Sequence, residues 1–165
     1  MFSQLNRSSG EIVQILMTIG YDQYVSWTPE LSVSVEEFDS QHQVLIGLIQ
    51  KLYGAMENGE GDGVSTQIVK ELIDYTDYHF AVEEENFRIY GYPDAEAHIA
   101  EHQTLLKKAR ELYQGLEQGR TVLSNEILDF LQDWVMNHIM KTDVKYAGFF
   151  NNRKIQIRDR AASSR

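Results

Sequence analysis

Five histidines, His42, His79, His98, His102 and His138, fall on a spacing that metal ligation explains well. Glu83 follows His79 by four residues, Asp143 follows His138 by five, and His98 and His102 are themselves four apart. Residues four apart on an α-helix lie one turn apart on the same face. Three segments therefore offer a pair of ligands each, and a fourth offers a single imidazole. A tetrahedral zinc takes about four ligands. Five nitrogen donors and two carboxylates able to bridge suit a two-metal centre with an open position. Imidazole accepts zinc, copper, iron or nickel, whereas bridging carboxylates beside nitrogen donors favour paired iron or manganese. Ferritin-like di-iron bundles use a Glu from each of two helices and Glu-x-x-His from the other two. This chain is richer in histidine and poorer in carboxylate, which stabilises the ferric state less and argues for reversible chemistry.

The elements that must carry these groups read as all-α. The first helix is expected from about Asp39, a plausible N-cap, to Glu57, with Val44, Leu45, Leu48, Ile49 and Leu52 at helical spacing. Three glycines within residues 58–63 end it. The second runs from about Ser65 to Tyr90 and is closed by Gly91-Tyr92-Pro93. The third runs from Asp94 to about Gln118, and the fourth, capped by Ser124, reaches at least Tyr146. Short connections make neighbours antiparallel, so the fold class is an up-down-up-down four-helix bundle. Early positions on helices one and three are then level with late positions on helices two and four, and the seven ligands converge at one end of the core. Burying them without a cation would leave polar groups unpaired at about 1–3 kcal/mol each. One spacing is imperfect. Five residues turn an α-helix by about 500°, so His138 and Asp143 are about 140° apart. Either Asp143 reaches round or the helix is wound differently there, as at a π-bulge.

Ahead of the bundle, Val25, Trp27, Leu31, Val33 and Val35 alternate with polar residues between Tyr21 and Phe38. A lone strand cannot make a sheet, so an extended N-terminal arm packed across the bundle is expected. The organisation is an N-terminal extension over 1–20, a bundle domain over 21–150 and a basic tail over 151–165.

The chain has 165 residues, a formal charge of −10 and no cysteine. Its length suits one domain with one core. Its charge makes the body a poor partner for nucleic acid or anionic membrane. Without cysteine there are no disulfides, thiolate clusters or cysteine nucleophiles, which fits a cytoplasmic setting. The apolar run from Ile12 to Ile19 is too short to span a bilayer and reads as a short helix covering the bundle or a partner surface. In the tail, Arg153, Lys154, Arg158, Arg160 and Arg165 face one acid, Asp159. It reads as a solvated end, with docking to a protein partner as the functional alternative.

The stretches Phe38 to His42, His79 to Glu84, Gly91-Tyr92-Pro93 with His98 and His102, and Trp134 to Ile139 with Asp143 and Tyr146 together resemble the hemerythrins, in particular the single-domain bacterial ones. The resemblance spans roughly residues 27–146. It implies a left-handed four-helix bundle holding two non-haem irons joined by an oxo or hydroxo bridge. It further implies that His98, His102 and His138 ligate one iron, His42 and His79 the other, and that Glu83 and Asp143 bridge them. Dioxygen would bind at the iron with two histidines and be held reversibly as hydroperoxide. Phe80 and Trp134 would wall that pocket. Val135 stands where the family usually carries leucine, which would leave more room.

Three functions compete on this reading. Oxygen carriage, storage or delivery, with no enzymatic turnover, comes first. An oxygen or redox sensor acting through the terminal segments is second. A di-iron peroxidase or nitric-oxide-handling enzyme is third. It needs a proton donor in the pocket, for which Tyr78, Glu84 and Glu85 are loose candidates.

Overall fold

Four long helices carry the chain back and forth in the computed structural model, which describes residues 25–153, 155 and 157. Helix α1 is Glu36–Glu57, α2 Asp62–Tyr90, α3 Ala95–Glu117 and α4 Asn125–His138. A π-helical turn, Ile139–Asp143, joins α4 to α5, Val144–Asn152. Among the described residues there is no strand. Helix α1 packs on α2 and on α4, and α2 packs on α3. The apolar run at 12–19 and most of the basic tail lie outside the described residues.

The start of α1 differs from the sequence expectation. Asp39 is not its N-cap; the helix begins three residues earlier, with Val35 in the capping position. Glu36, Glu37 and Asp39 all sit in the first turn, where negative charge meets the positive end of the helix dipole. The Asp39 carboxylate is turned toward the arm. It accepts from Ser32 Oγ at 2.6 Å and from the Val33 N–H at 2.8 Å. The arm therefore has a specific anchor. It is not extended throughout, since Pro29–Leu31 make a 3-10 turn. Leu31, Val33 and Val35 are buried against the bundle, and Gln50 Nε2 donates to the Val25 carbonyl. Helix α2 likewise begins before Ser65, at Asp62 behind Gly61.

Two terminations matter for the site. Gly91 ends α2 in the left-handed region at φ 66 and ψ 51, a conformation that costs glycine nothing. The Tyr92 N–H then reaches back to the Phe87 carbonyl at 2.9 Å. This tight turn starts α3 four residues later, so His98 and His102 come level with His79 and Glu83. On α4, the π turn resolves the five-residue misfit. With i→i+5 bonding, residues five apart take the place that residues four apart hold in an α-helix.

The interior divides in two. Leu45, Ile49, Leu52, Val69, Leu72, Phe80, Leu106 and Leu131 belong to a long apolar core between the helices. Phe38, Phe87, Tyr92, Tyr146 and Phe150 form an aromatic cluster that also takes in Val33 and Val35 of the arm. The polar groups lie between these two layers.

Candidate metal centre

All seven residues singled out by spacing are buried and adjacent. Their ligand atoms form two overlapping groups, each with its atoms within 4.8 Å of one another. One group is Glu83, His98, His102, His138 and Asp143; the other is His42, His79, Glu83 and Asp143. The two carboxylates belong to both, and their oxygens divide between them. Glu83 Oε1 lies 3.6 Å from His79 Nε2, while Oε2 lies 3.3 Å from His102 Nε2 and 3.6 Å from His98 Nε2. Asp143 Oδ2 lies 3.1 Å from His42 Nε2, while Oδ1 lies 3.2 Å from His98 Nε2 and 3.1 Å from His138 Nε2. Each carboxylate thus presents one oxygen to each set of imidazoles.

Every imidazole turns Nε2 inward, and three of them spend Nδ1 on a neighbour. His79 Nδ1 lies 2.8 Å from Gln41 Oε1, His102 Nδ1 2.9 Å from Glu84 Oε1, and His138 Nδ1 2.9 Å from Glu101 Oε1. Such partners fix the tautomer that leaves Nε2 free to coordinate. Glu101 also accepts from Thr142 Oγ1 inside the π turn. The Tyr146 hydroxyl donates to Glu83 Oε1. Ligand spacing alone points to none of these outer partners, and Glu84 enters the sequence reading only as a loose proton donor. Glu85, raised with it, pairs with Arg88. Tyr78 packs its ring against Tyr75.

The charge balance follows from burial. Burial lowers the His79 pKa to about 4 against the pull of Glu83. Burial and the neighbouring His138 and His98 lower that of His102 to about 3. His138 goes the other way. Burial would lower it, but Asp143 and Glu101 outweigh that and raise it to about 10. Glu101 is held down at about 2, first by its hydrogen bond with His138. Burial and the nearby Asp143 raise Glu83, and burial with both carboxylates raises the Tyr146 phenol well above its ordinary value. A protonated His138 is therefore the local counter-cation to the carboxylates. A metal ion binding there would take over that role and release the proton.

Beside His79 and His138 lies a cavity of about 10 Å³ lined by Leu45, Thr76, Phe80, Trp134, Val135 and Ile139. Its size is at the lower limit for one water-sized guest. Phe80 stacks on His102 with ring centroids 3.6 Å apart and planes 4° apart. Phe80, Trp134 and Val135 thus share one small chamber against the histidines. A second, much more open groove of about 540 Å³ runs over Asp77, Glu84, Lys107 and Arg110 on the outer face of α2 and α3.

The residues fit a metal pair. Eight buried side-chain polar atoms lack a hydrogen-bond partner among the described residues, and seven belong to His42, His79, Glu83, His98 and Asp143. Apart from His42 Nδ1, these seven meet neighbouring ligand atoms only at ion-pair range, 3.1–3.6 Å, without a formed hydrogen bond, and a buried polar atom left so costs about 1–3 kcal/mol. Imidazole nitrogen with shared carboxylate oxygen is a donor set for iron or manganese.

Comparison with known proteins agrees with this geometry. Residues 33–150 match the family model described as the hemerythrin HHE cation binding domain. A bacteriohemerythrin of Methylococcus capsulatus is 32% identical over 123 residues, which cover 74% of this chain and 93% of that one. One from Stenotrophomonas maltophilia is 31% identical over 121 residues, covering 73% and 78%. Among solved structures, a wild-type hemerythrin superposes with a TM-score of 0.71 at 31% identity, covering 74% of this chain and 95% of its own.

Proposed function

The chain belongs to the hemerythrin family, and from that footing we propose that it binds dioxygen reversibly at a pair of non-haem irons, to carry, store or deliver oxygen without enzymatic turnover. His98, His102 and His138 would hold one iron and His42 and His79 the other, with Glu83 and Asp143 shared between them. The observation that carries this reading is the division of carboxylate oxygens, one from each to either histidine set. Such a pair of irons, when bound, would supply reversible two-electron chemistry toward dioxygen.

The chain's own residues do the rest. The two-histidine set has fewer donors, which leaves room for a guest there, and the cavity touches His79 of that set as well as His138 of the other. Leu45, Phe80, Trp134, Val135 and Ile139 keep that side apolar. Excluding water strengthens local electrostatics and suppresses irreversible loss of charge from a bound oxygen species. Gln41 holds His79 with Nε2 directed inward. A cytoplasmic setting fits a chain without cysteine.

The test is metal content with the visible spectrum of the anaerobically reduced chain, taken in argon, in air and in argon again. About two irons per chain and a colour that appears and fades are expected. Irons that oxidise once and do not return would overturn reversible binding. His79→Ala should lose the oxygen response and much of the metal. Two irons and a reversible colour in that variant would overturn the ligand assignment.

A further inference from the structure

The imidazoles of the two sets are held from behind by different chemistry. In the three-histidine set, His102 and His138 each direct Nδ1 at a carboxylate, Glu84 and Glu101, at 2.9 Å. In the two-histidine set, His79 directs Nδ1 at the neutral amide of Gln41. The amide is itself oriented, because Gln41 Nε2 donates to Glu37 Oε1 at 2.7 Å. On the Nδ1 side of His79 the first negative charge, Glu37, is thus one side chain further away than the carboxylates behind His102 and His138. His42 has no partner for Nδ1 among the described residues.

A carboxylate accepting from Nδ1–H makes the imidazole a stronger donor through Nε2. Stronger donation favours the more highly charged metal. Glu101 is held in place by a second bond, from Thr142 Oγ1, so the π turn that brings Asp143 inward also fixes this carboxylate. Glu84 and Glu101 are partly exposed, with side chains 33% and 40% accessible. They can be altered without opening the core.

We propose that Glu84 and Glu101 are positioning residues that make the three-histidine site the tighter and more easily oxidised of the two, while the neutral Gln41 keeps the two-histidine site ferrous longer. The inference rests on the metal-pair reading above and extends it. It divides the first and second electrons between the sites. The electron given up first would come from the three-histidine site, and the two-histidine site, with fewer donors, would be the last to lose its own.

The experiment compares the full-length chain with Glu84→Gln, Glu101→Gln and Gln41→Glu. Iron(II) is titrated anaerobically into each metal-stripped protein, and the stepwise reduction potentials of each iron-loaded protein are read by spectroelectrochemistry. Glutamine still accepts from Nδ1–H, so the two Glu→Gln variants remove charge and keep position. Each should bind two irons, with one of them weakened about 10–100-fold. Each should also raise the first oxidation step, by about 59 mV for every tenfold change in the ratio of oxidised to reduced protein. Gln41→Glu should lower the second step and leave the first in place. Thr142→Val, which frees Glu101 without changing charge, should move the first step the same way by less. Potentials and affinities equal to wild type in both Glu→Gln variants would overturn the proposal. So would the same step moving in Glu84→Gln and Gln41→Glu. A wild-type chain that takes up fewer than two irons would overturn the metal-pair reading itself and this inference with it.

Discussion

Tyr146→Phe isolates one hydrogen bond in the most buried part of the molecule. Tyr146 is fully enclosed, as is its acceptor Glu83, and the hydroxyl is aimed at Oε1, the oxygen on the His79 side. The phenol stays protonated at every working pH because burial and the two carboxylates raise it well above its ordinary value. Phenylalanine keeps the ring contacts with Phe38, Phe87 and Phe150 and removes only the donor. In the metal-stripped chain this leaves a buried carboxyl oxygen without its partner, at about 1–3 kcal/mol. For a chain of this length each kcal/mol shifts the melting temperature by about 2–4 °C, so a fall of about 2–12 °C is expected. Urea denaturation at fixed pH should show the same loss in midpoint with an unchanged slope. The loss should shrink once metal is bound, because Glu83 then has a cation to satisfy it. A stability within about 0.5 kcal/mol of wild type in the stripped chain, the ordinary scatter of a surface substitution, would refute the view that this bond holds Glu83 in place.

Val135→Leu adds a methylene to a chamber of about 10 Å³. It should cost about 1–3 kcal/mol through overpacking and slow both oxygen association and autoxidation in stopped-flow and spectral-decay measurements. Asp39→Ala removes the acceptor for Ser32 and Val33. It should destabilise the chain by about 1 kcal/mol and speed proteolysis of the arm, with iron content unchanged. The metal-stripped chain should be most stable between about pH 6 and 7. As pH falls below the unfolded histidine value, the unfolded chain gains protons that the folded one refuses at His79 and His102, whose values are lowered to about 4 and 3. As pH rises toward about 10, the folded chain loses the advantage of keeping the proton on His138. Thermal melts from pH 4 to 10 in chelator would test this, and a monotonic trend would contradict it.

The seven residues of the candidate centre were legible because residue type and helical period coincide. Histidines and acids four apart can only be read as one face. The five-residue interval between His138 and Asp143 was legible as a misfit, and the π turn is its physical answer. Helix starts were less so. Asp39 has the composition of a cap, but its side chain bonds the arm, a tertiary choice that no local pattern records. The outer partners were harder still. Glu101 stands three residues after His98 on α3, yet it serves His138 on α4. Only the relative rotation of two helices pairs them. Gln41 adjoins His42 in sequence but serves His79. Gln41 and Glu101 do each adjoin a histidine of the candidate centre in sequence, His42 and His102.

The polar knot draws side chains from α1, α2, α3 and the end of α4, so a metal pair seated there would tie every long helix to the others. Such a tie works as a thermodynamic linkage. Metal that binds only the folded chain stabilises it by about 4 kcal/mol when free metal exceeds the dissociation constant a thousandfold. The stripped chain meanwhile keeps at its centre a cluster of buried imidazoles and carboxylates, several of whose polar atoms form no hydrogen bond. Differences of one or two kcal/mol change steady-state abundance several-fold through proteolysis of the unfolded chain. Supply of iron would then set how much of this protein a cell retains, and the population of chains would follow the metal without any regulator acting on their synthesis.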